Sequence, residues 1–377
     1  MEIYLDNSAT TAVCPEAVAK MTEVMTQSYG NPSSTHAMGR NAKKILDEAR
    51  ASIASAVGCD AGEITFTSGG TEADNIAIFG ACENLRHIGK HIITTAIEHD
   101  AVLRPMETLA ARGFEITYLA PDESGAVSVS DFIAAIRPDT VFASVMLVNN
   151  ETGAVNDVKA MCAALKKANP RAVFHTDAVQ AFCKIDVSPK KTGVDLMSIS
   201  SHKIHGPKGT GALYIRKGTK LNPPTKGGGQ ENNIRPGTEG LPGIAGFGVA
   251  ASIAAKTMKE NQILFKTLRD TLISRLTTEI PGVQVIGGGA DHILNVSFIG
   301  YRSEVLLNYL DAKGVYISKG SACKRGARSH VLTAMKLPAK TIDGAVRISF
   351  SRYNTPDDIN YAADMFKEAT DKLVRVK

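Results

Sequence analysis

The strongest sign of chemistry in this chain is a lysine at the end of an apolar run and just before a glycine-rich turn. This residue is Lys203, in the segment 200–209, SSHKIHGPKG. Burial lowers the pKa of a lysine because it penalises the charged form, and the neutral amine is the nucleophile that attacks carbonyl groups. Such an amine suits a Schiff base, and pyridoxal phosphate (PLP) is the commonest cofactor held in that way. An ordinary basic loop is the alternative on local grounds.

A glycine-rich motif could hold the phosphate of such a cofactor. The motif SGGTEADN at 68–75 follows a short predicted strand at 64–67 and begins a segment with helical periodicity. Glycines such as Gly70 let backbone N–H groups approach a ligand, Thr71 adds a hydroxyl, and a helix N-terminus carries partial positive charge. The pattern therefore predicts an anion site. A plain turn with Ser68 or Thr71 as the N-cap is the alternative.

A carboxylate is needed to keep the pyridine nitrogen of the cofactor protonated. The predicted strand 172–177 ends in Asp177, at the edge where α/β sheets hold their ligands. Asp177 would pair with the pyridinium, and Gln180 could reach the ring oxygen. An aspartate that caps the next helix is the alternative, and it is about as well supported by the local sequence.

Two further predicted strands lead to polar residues. The strand 92–97 runs into His99, whose ring could stack on the cofactor and later move protons near the working pH. The chain has nine histidines, so a capping or solvated histidine is the alternative. The strand 141–148 leads to Asn150, whose amide could orient a substrate carboxylate or the ring oxygen, with a simple turn as the alternative.

The order of the predicted elements indicates how these residues are brought together. Strands alternate with helical segments, which is the pattern of a mostly parallel sheet covered by helices on both faces. Examples of the helical segments are 39–57, 100–112 and 158–168. We therefore expect an α/β fold in which the strand ends converge on one site.

After residue 238 the alternation stops. A long helical periodicity over 243–278 leads into a smaller α+β unit. We predict a large domain over 15–255 and a small C-terminal domain over 256–377. The N-terminal segment 1–14 is expected to pack with the small domain.

Composition excludes several classes of function. A net charge of +5 with both signs interspersed gives no case for nucleic-acid binding. Six cysteines without CxxC pairs predict neither a disulfide framework nor a metal site, and a reactive thiol needs a reducing compartment such as the cytoplasm. No signal peptide is expected, and the longest uncharged stretch, 240–255, is too short to span a bilayer.

Taken together, these motifs resemble those of NifS/IscS-type cysteine desulfurases, a branch of the class V aminotransferase group within the fold-type I PLP enzymes. The resemblance runs nearly end to end. It implies a fold-type I architecture, with a large domain and a smaller C-terminal domain. The matching segments are 4–11, 30–36, 67–75, 98–99, 148–153, 177–180, 200–209, 227–231, 235–239 and 320–323.

The resemblance also implies roles for individual residues. Lys203 would form the Schiff base, His99 would stack on the ring and Asp177 would hold the pyridine nitrogen. Gln180 would contact the ring hydroxyl. Thr238 is implied to reach the phosphate in a neighbouring subunit, so a homodimer is expected. The residues implied to hold the phosphate within one chain are Gly70, Thr71, Ser200 and His202.

Cys323 separates this interpretation from a transaminase. The family uses a loop cysteine to attack the sulfur of the substrate L-cysteine, which leaves a persulfide on the enzyme and alanine as the product. Nearby cations, Lys324 and Arg325 among them, favour the nucleophilic thiolate. A buried small hydrophobic residue is the alternative for Cys323, and it suits the other five cysteines better.

The segment after this cysteine departs from the family pattern. Many members carry small hydroxyl residues and then a Glu-Pro-Ser-type stretch, whereas this chain reads KRGARSHVL over 324–332. The added positive charge favours a thiolate and an acidic acceptor surface, although a solvated loop face is the alternative. The departure leaves the PLP chemistry intact and the identity of the sulfur acceptor open.

The substrate carboxylate requires a cation. An alternating strand is predicted over 346–351, and Arg352 matches the position where the family places a bidentate clamp. A guanidinium fork suits a carboxylate better than a lysine does, and Asn150 could assist. An ordinary salt bridge is the alternative for Arg352, and Arg347 is a neighbouring arginine that could be confused with it.

The function expected from these residues is PLP-dependent desulfuration of L-cysteine. The sulfur would pass to an acceptor protein, either an iron–sulfur scaffold or a thiolation enzyme. A selenocysteine lyase or another class V aminotransferase-like enzyme is the first alternative. A catalytically silent partner in a sulfur-transfer complex is the second, against which intact Lys203 and Asp177 argue.

Overall fold

The computed structural model describes residues 2–319 and 328–375. The strands within these ranges are β1 (Ile3–Tyr4), β2 (Ile64–Thr67), β3 (His91–Thr95), β4 (Glu115–Leu119), β5 (Thr140–Ser144), β6 (Val173–Asp177), β7 (Leu196–Ser200), β8 (Gly211–Ile215), β9 (Val283–Ile286), β10 (Ile293–Phe298), β11 (Val315–Tyr316) and β12 (Ala345–Ser349). The helices are α1 (Pro15–Gln27), α2 (Ala37–Val57), α3 (Gly70–Leu85), α4 (Asp100–Ala111), α5 (Val129–Ala135), α6 (Val158–Ala168), α7 (Pro189–Thr192), α8 (Leu241–Lys256), α9 (Met258–Glu279), α10 (Ser303–Asp311), α11 (His330–Ala334), α12 (Ala339–Asp343) and α13 (Pro356–Lys372).

A seven-stranded sheet has the order β2-β8-β7-β6-β5-β3-β4. The strands from β7 through β4 in this order pair in parallel. β8 is the exception, since it runs antiparallel to both of its neighbours, β7 and β2. The predicted mostly parallel sheet is therefore confirmed.

Helices cover both faces of this sheet. Ile92 and Phe142 belong to a core cluster that includes buried residues of α3 and α4. The next residue of each strand, Ile93 and Ala143, belongs to a second cluster with residues of α2, α6 and α8. Successive strand residues point to opposite faces, so the two clusters lie on opposite sides of the sheet.

A smaller sheet, β12-β10-β9, is antiparallel and packs with α9, α10 and α13 around a separate core cluster. β1 pairs in parallel with β11, and Leu5 is buried in the same cluster. The N-terminal residues thus contact the C-terminal unit.

The helical periodicity over 243–278 corresponds to two helices rather than one. α8 and α9 meet at Thr257 with a bend of 70°. The predicted domain boundary at 255/256 lies at this bend, and the division into domains stays a prediction. Within the described ranges no single helix is long and apolar enough to cross a membrane. The bent pair α8 and α9 reaches that length and apolar composition only when the two helices are taken together.

The parallel strands bring the candidate residues to one edge. β6 ends at Asp177 and β7 ends at Ser200, while the chain beyond β3 reaches His99 and the chain beyond β5 reaches Asn150. Since the carboxyl ends of adjacent parallel strands lie at the same edge of a sheet, the side chains that follow them are neighbours. The three-residue turn Ser201–Lys203 comes directly after β7 and places Lys203 at this edge.

Close backbone packing shapes the turn before α3. Gly69 has a φ of 155°, in the region that favours glycine. A Cβ added to Gly211 on β8 would lie 2.7 Å from the Cα of Gly69 and 2.8 Å from the carbonyl oxygen of Ile199. Both contacts are to backbone atoms, which cannot rotate away.

We therefore expect Gly211→Ala to lower the free energy of unfolding by roughly 1–3 kcal/mol, the usual cost of overpacking a tight site. Gly62→Ala is the matched control, because a Cβ there meets nothing within 4 Å. Urea denaturation of both variants measures the difference. Equal stability of the two variants would show that the close approach of β8 to Gly69 is not a constraint.

Candidate active site

A cavity of about 650 Å³ opens at the carboxyl edge of the large sheet. This volume is within the range of sites that hold a cofactor together with a small substrate. Its wall contains most of the residues predicted from the sequence. They are Gly70, Thr71, His99, Asn150, Asp177, Gln180, Ser200, His202 and Lys203.

Lys203 is partly buried, and its amine has peptide oxygens as its hydrogen-bond partners. Its Nζ donates to the carbonyl oxygens of Ser8 at 2.6 Å and Ala9 at 2.8 Å. Burial, with a further contribution from the charge of Arg347, lowers the pKa of Lys203 to about 7. A substantial fraction of this amine is therefore neutral and nucleophilic near neutral pH.

Asp177 lies at the end of β6 and is 6% exposed. Its Oδ1 accepts a hydrogen bond from the N–H of Val179 at 2.9 Å. Burial raises the pKa of Asp177, while that hydrogen bond and the charges of His99 and Lys203 oppose the rise. A cationic ring nitrogen placed against Asp177 would compensate the burial of its charge.

The start of α3 and the end of β7 form one end of the cavity. The Oγ of Ser200 is buried and has no hydrogen-bond partner in the described part of the chain. His202 lies nearby, with its Nδ1 3.2 Å from the Oγ1 of Thr10, and burial lowers the pKa of His202 to about 4. A buried hydroxyl without a partner, beside the N-terminus of α3, fits a phosphate group.

His99 combines two of the roles weighed from the sequence. It is the N-cap of α4, and its Nδ1 accepts from the N–H of Ala101 at 3.1 Å. It also lines the cavity. Because Nδ1 accepts, the neutral ring carries its proton on Nε2. Stacking on a cofactor ring stays a prediction.

Two amides complete this part of the wall. The Nε2 of Gln180 donates to the carbonyl oxygen of Ser8 at 2.9 Å. The backbone carbonyl of Asn150 accepts from the Nη1 of Arg347 at 2.8 Å. The carbonyl oxygen of Ser8 therefore accepts hydrogen bonds from both Lys203 and Gln180, so the N-terminal segment is part of the site.

The role of Arg352 as the carboxylate clamp stays a prediction. Arg352 packs on its neighbour Tyr353, with Cζ 5.0 Å from the ring centroid and Nη2 2.9 Å from the phenol oxygen. Among the residues that the structure describes, the arginine of β12 on the cavity wall is Arg347. Arg347 is 2% exposed, and its Nη2 lies 2.7 Å from Oδ1 of Asp6. It lies within a strand that faces the site, whereas Arg352 follows the strand.

Two predicted residues lie elsewhere. Thr238 is exposed and does not line the cavity of its own chain, so its role towards a neighbouring subunit stays a prediction. Cys323 lies outside the described residues. Arg328 and His330, which follow it in sequence, are on the cavity wall.

Sequence reasoning missed three buried carboxyl groups beside the site: Asp74, Glu98 and Glu151. Burial raises the pKa of all three, that of Glu98 to about 8. Glu98 and Glu151 adjoin His99 and Asn150 in the sequence, and Asp74 lies three positions after Thr71. Their places inside motifs that were already assigned to the site were the available signal.

No group of three or more His, Cys, Asp or Glu side chains within residues 2–319 and 328–375 is arranged to hold a metal ion. The amine of Lys203, the carboxyl group of Asp177 and the hydroxyl of Ser200 beside the N-terminus of α3 fit an aldehyde cofactor that carries a phosphate group.

Comparisons with known proteins agree with this geometry. The family model described as "Aminotransferase class-V" matches residues 3–361. A cysteine desulfurase IscS of Methanosarcina thermophila is 44% identical over 376 residues, which cover 98% of this chain and 92% of that relative. A cysteine desulfurase IscS of Dictyoglomus turgidum is 42% identical, with 99% and 95% covered. A solved structure described as a NifS-like protein superposes with a TM-score of 0.94 at 37% identity, covering 99% of this chain and all of that one.

The low pKa of Lys203 predicts how its reactivity depends on pH. We expect the apoprotein to form a Schiff base with added pyridoxal phosphate at a rate that rises with pH and levels off just above about pH 7. Only the neutral amine reacts, and an unperturbed lysine would continue to gain rate up to about pH 10. Borohydride reduction followed by mass spectrometry of the Lys203 peptide measures the rate.

Lys203→Arg is the control for this experiment, since it keeps a cation but offers no attacking amine. A rate for the wild-type protein that still climbs steeply above about pH 9 would contradict the burial argument.

Proposed function

The chain belongs to the class V aminotransferase family, and from that premise we propose that its cavity binds pyridoxal phosphate and removes sulfur from L-cysteine. Its relatives of similar length are cysteine desulfurases. The observation that carries the proposal is that one cavity contains the amine of Lys203, the carboxyl group of Asp177 and the candidate phosphate-binding residues at the start of α3 and the end of β7. A solved relative with 32% identity, a TM-score of 0.79 and 94% coverage of this chain is described as SspA in complex with cysteine.

Each part of the cofactor has a matching group in the cavity. Lys203 supplies the amine, Asp177 the partner of the pyridine nitrogen and Gln180 a contact for the ring hydroxyl. Bound there, pyridoxal phosphate supplies an electron sink for negative charge at the α-carbon of an amino acid. The residues proposed for the phosphate are Gly70, Thr71, Ser200 and His202, with Thr238 of the partner subunit.

Arg347 is proposed to orient the substrate. Its guanidinium is already fixed by Asp6 and by the carbonyl of Asn150, so little side-chain entropy is lost when a carboxylate binds. The amide of Asn150 lies on the same wall. Because Arg347 is held within the strand β12, it would orient the α-carbon towards Lys203.

Lys203 and His99 are proposed to move protons. Because the pKa of Lys203 is about 7, its amine can accept a proton from the substrate whenever the amine is free. His99 has its proton on Nε2 while Nδ1 caps α4, which keeps the ring oriented at the cavity wall.

Cys323 is proposed to take the sulfur. Its thiolate attacks the sulfur of the substrate, an S–S bond forms and the C–S bond breaks, and the electron pair of that bond stays with the carbon fragment. Protonation of this fragment gives alanine, and Cys323 keeps the sulfur as a persulfide. An acceptor protein, an iron–sulfur scaffold or a thiolation enzyme, would then collect it. A reducing cytoplasm would keep the thiol available. Selenocysteine is the alternative substrate, because selenium at the same position reacts similarly.

A homodimer is proposed because Thr238 has no role in its own cavity. The segment that carries it is anchored by Glu231, whose carboxylate pairs with Arg50 and accepts from the N–H of Phe66 at 2.8 Å. An exposed threonine on a firmly held segment suits a contact with a second copy of the chain.

Two substitutions separate cofactor binding from sulfur transfer. We expect the wild-type protein to be yellow, Lys203→Ala to lack the Schiff-base absorption, and Cys323→Ala to keep both the colour and cysteine binding. Sulfide release should fall by roughly two orders of magnitude or more in each variant, which is the scale on which loss of a catalytic nucleophile acts. Visible absorption and a sulfide assay provide the measurements.

A wild-type protein that is colourless and cannot be reconstituted with pyridoxal phosphate would contradict the cofactor proposal. Normal sulfide release by Cys323→Ala would remove the persulfide step and leave the cofactor proposal standing.

The two arginines can be distinguished by the same conservative change. We expect Arg347→Lys to raise the KM for cysteine about 10- to 100-fold, since a charge-assisted hydrogen bond contributes about 1.5–3 kcal/mol. Arg352→Lys is the matched control and should change KM by less than about threefold, because Arg352 packs on Tyr353 off the cavity wall, where a partly exposed cation contributes little. Thermal unfolding of both variants tests whether a loss of stability, through the contact of Arg347 with Asp6, accounts for the change in KM. A large rise in KM for Arg352→Lys and a small one for Arg347→Lys would show that Arg352 binds the substrate carboxylate.

A further inference from the structure

Asp74 is a buried carboxyl group of the cavity that the proposed chemistry does not use. It lies in α3, one turn after Gly70, and it is 1% exposed. Asp74 lines the same cavity as Asp177. Its Oδ1 has no hydrogen-bond partner in the described part of the chain. An unpartnered buried oxygen at a cavity wall indicates a group that acts on what the cavity holds.

The neighbours of Asp74 are neutral hydrogen-bonding groups. His175 has its Nε2 3.5 Å from the Oδ1 of Asp74 and 3.0 Å from the Oγ of Ser198, while its Nδ1 lies 2.8 Å from the Oγ of Ser144. Burial lowers the pKa of His175 to about 3, so its ring is neutral. The hydroxyl of Ser198 opposes part of the rise in the pKa of Asp74. These contacts bring no positive charge to Asp74.

The charged and titratable groups that face Asp74 favour its protonated form. Burial raises the pKa of Asp74 well above its usual range, and the negative charges of Asp177 and Glu98 raise it further. Two carboxylates in one buried site do not ionise together. Asp177 accepts a hydrogen bond from the N–H of Val179, and the charge of Lys203 also favours its ionised form. Of these two carboxyl groups, Asp74 is therefore the one that holds a proton.

We propose that Asp74 is a positioning residue that stays protonated and acts as a hydrogen-bond donor in the cavity beside Asp177, so that Asp177 carries the single negative charge at the pyridine end. The inference rests on the proposed function, because the ring nitrogen is what this single charge serves. An ionised Asp74 would add a second, uncompensated negative charge, whereas the acid form adds no charge to the wall that it shares with Asp177.

The acid form can be detected directly. In infrared difference spectra of wild-type protein against Asp74→Asn, recorded at neutral pH, we expect a carbonyl stretch of a protonated carboxylic acid that is absent from the variant. The measurement works with and without pyridoxal phosphate, so it tests Asp74 even if the protein binds no cofactor. A carboxylate band in its place would overturn the inference.

The effect on the bound cofactor is tested with the holoenzyme and two substitutions. Asp74→Ala removes the donor, and we expect it to weaken pyridoxal phosphate binding about fivefold, the equivalent of one ordinary hydrogen bond. It should also shift the pH midpoint of the visible absorption. Asp74→Asn is neutral and can donate, so it should recover most of both losses.

If Asp74→Asn shifts the pH midpoint as far as Asp74→Ala does, the native residue is ionised and the proposal is wrong. If Asp74→Ala does not fold, the infrared comparison and the pH midpoint of Asp74→Asn still decide the matter. A wild-type protein that binds no pyridoxal phosphate while the acid band is present would refute the proposed function and leave the protonation state of Asp74 established.

Discussion

The chemistry of the cavity depends on where the amine of Lys203 is buried and on what it contacts. Its hydrogen-bond acceptors are the carbonyl oxygens of Ser8 and Ala9. Peptide oxygens compensate only part of the cost of burying a positive charge, so the amine shifts towards its neutral form. A carboxylate in the same place would have held the amine protonated and unreactive.

This arrangement requires the N-terminal segment to reach across the fold. β1 pairs with β11, and Asp6 forms a bridge with Ser349 at the end of β12. These contacts belong to the C-terminal unit, whereas Lys203 belongs to the large sheet. The acceptors of the amine are therefore delivered by the packing of one unit against the other, and Arg347, which binds Asp6, is held by the same contacts.

Local patterns predicted the elements that depend on local forces. β2, β6 and α6 begin and end at or within one residue of the predicted positions, because apolar runs there stop at turn-forming residues. The break between α8 and α9 at Thr257 was missed, since neither glycine nor proline marks it. The choice between Arg347 and Arg352 as the carboxylate clamp stays a prediction, although Arg347 is the one of the two on the cavity wall. That choice depends on the register of β12 with β10 and on a contact with Asp6, 341 positions away in the sequence.

Buried carboxyl groups were the other gap, and their positions suggest why such costly groups are present. Glu98 accepts from the hydroxyl of Thr95 and from the N–H of Met146, and so joins the chain beyond β3 to the chain beyond β5. Glu151 accepts from the hydroxyl of Ser329, the residue that caps α11. Each carboxyl group satisfies polar groups that would otherwise be buried alone, which offsets its own desolvation. A hydrophobic replacement would leave those donors unpaired. The segments beyond β3 and β5 and the start of α11 are therefore held together around the cavity by carboxyl groups whose pKa is raised by burial.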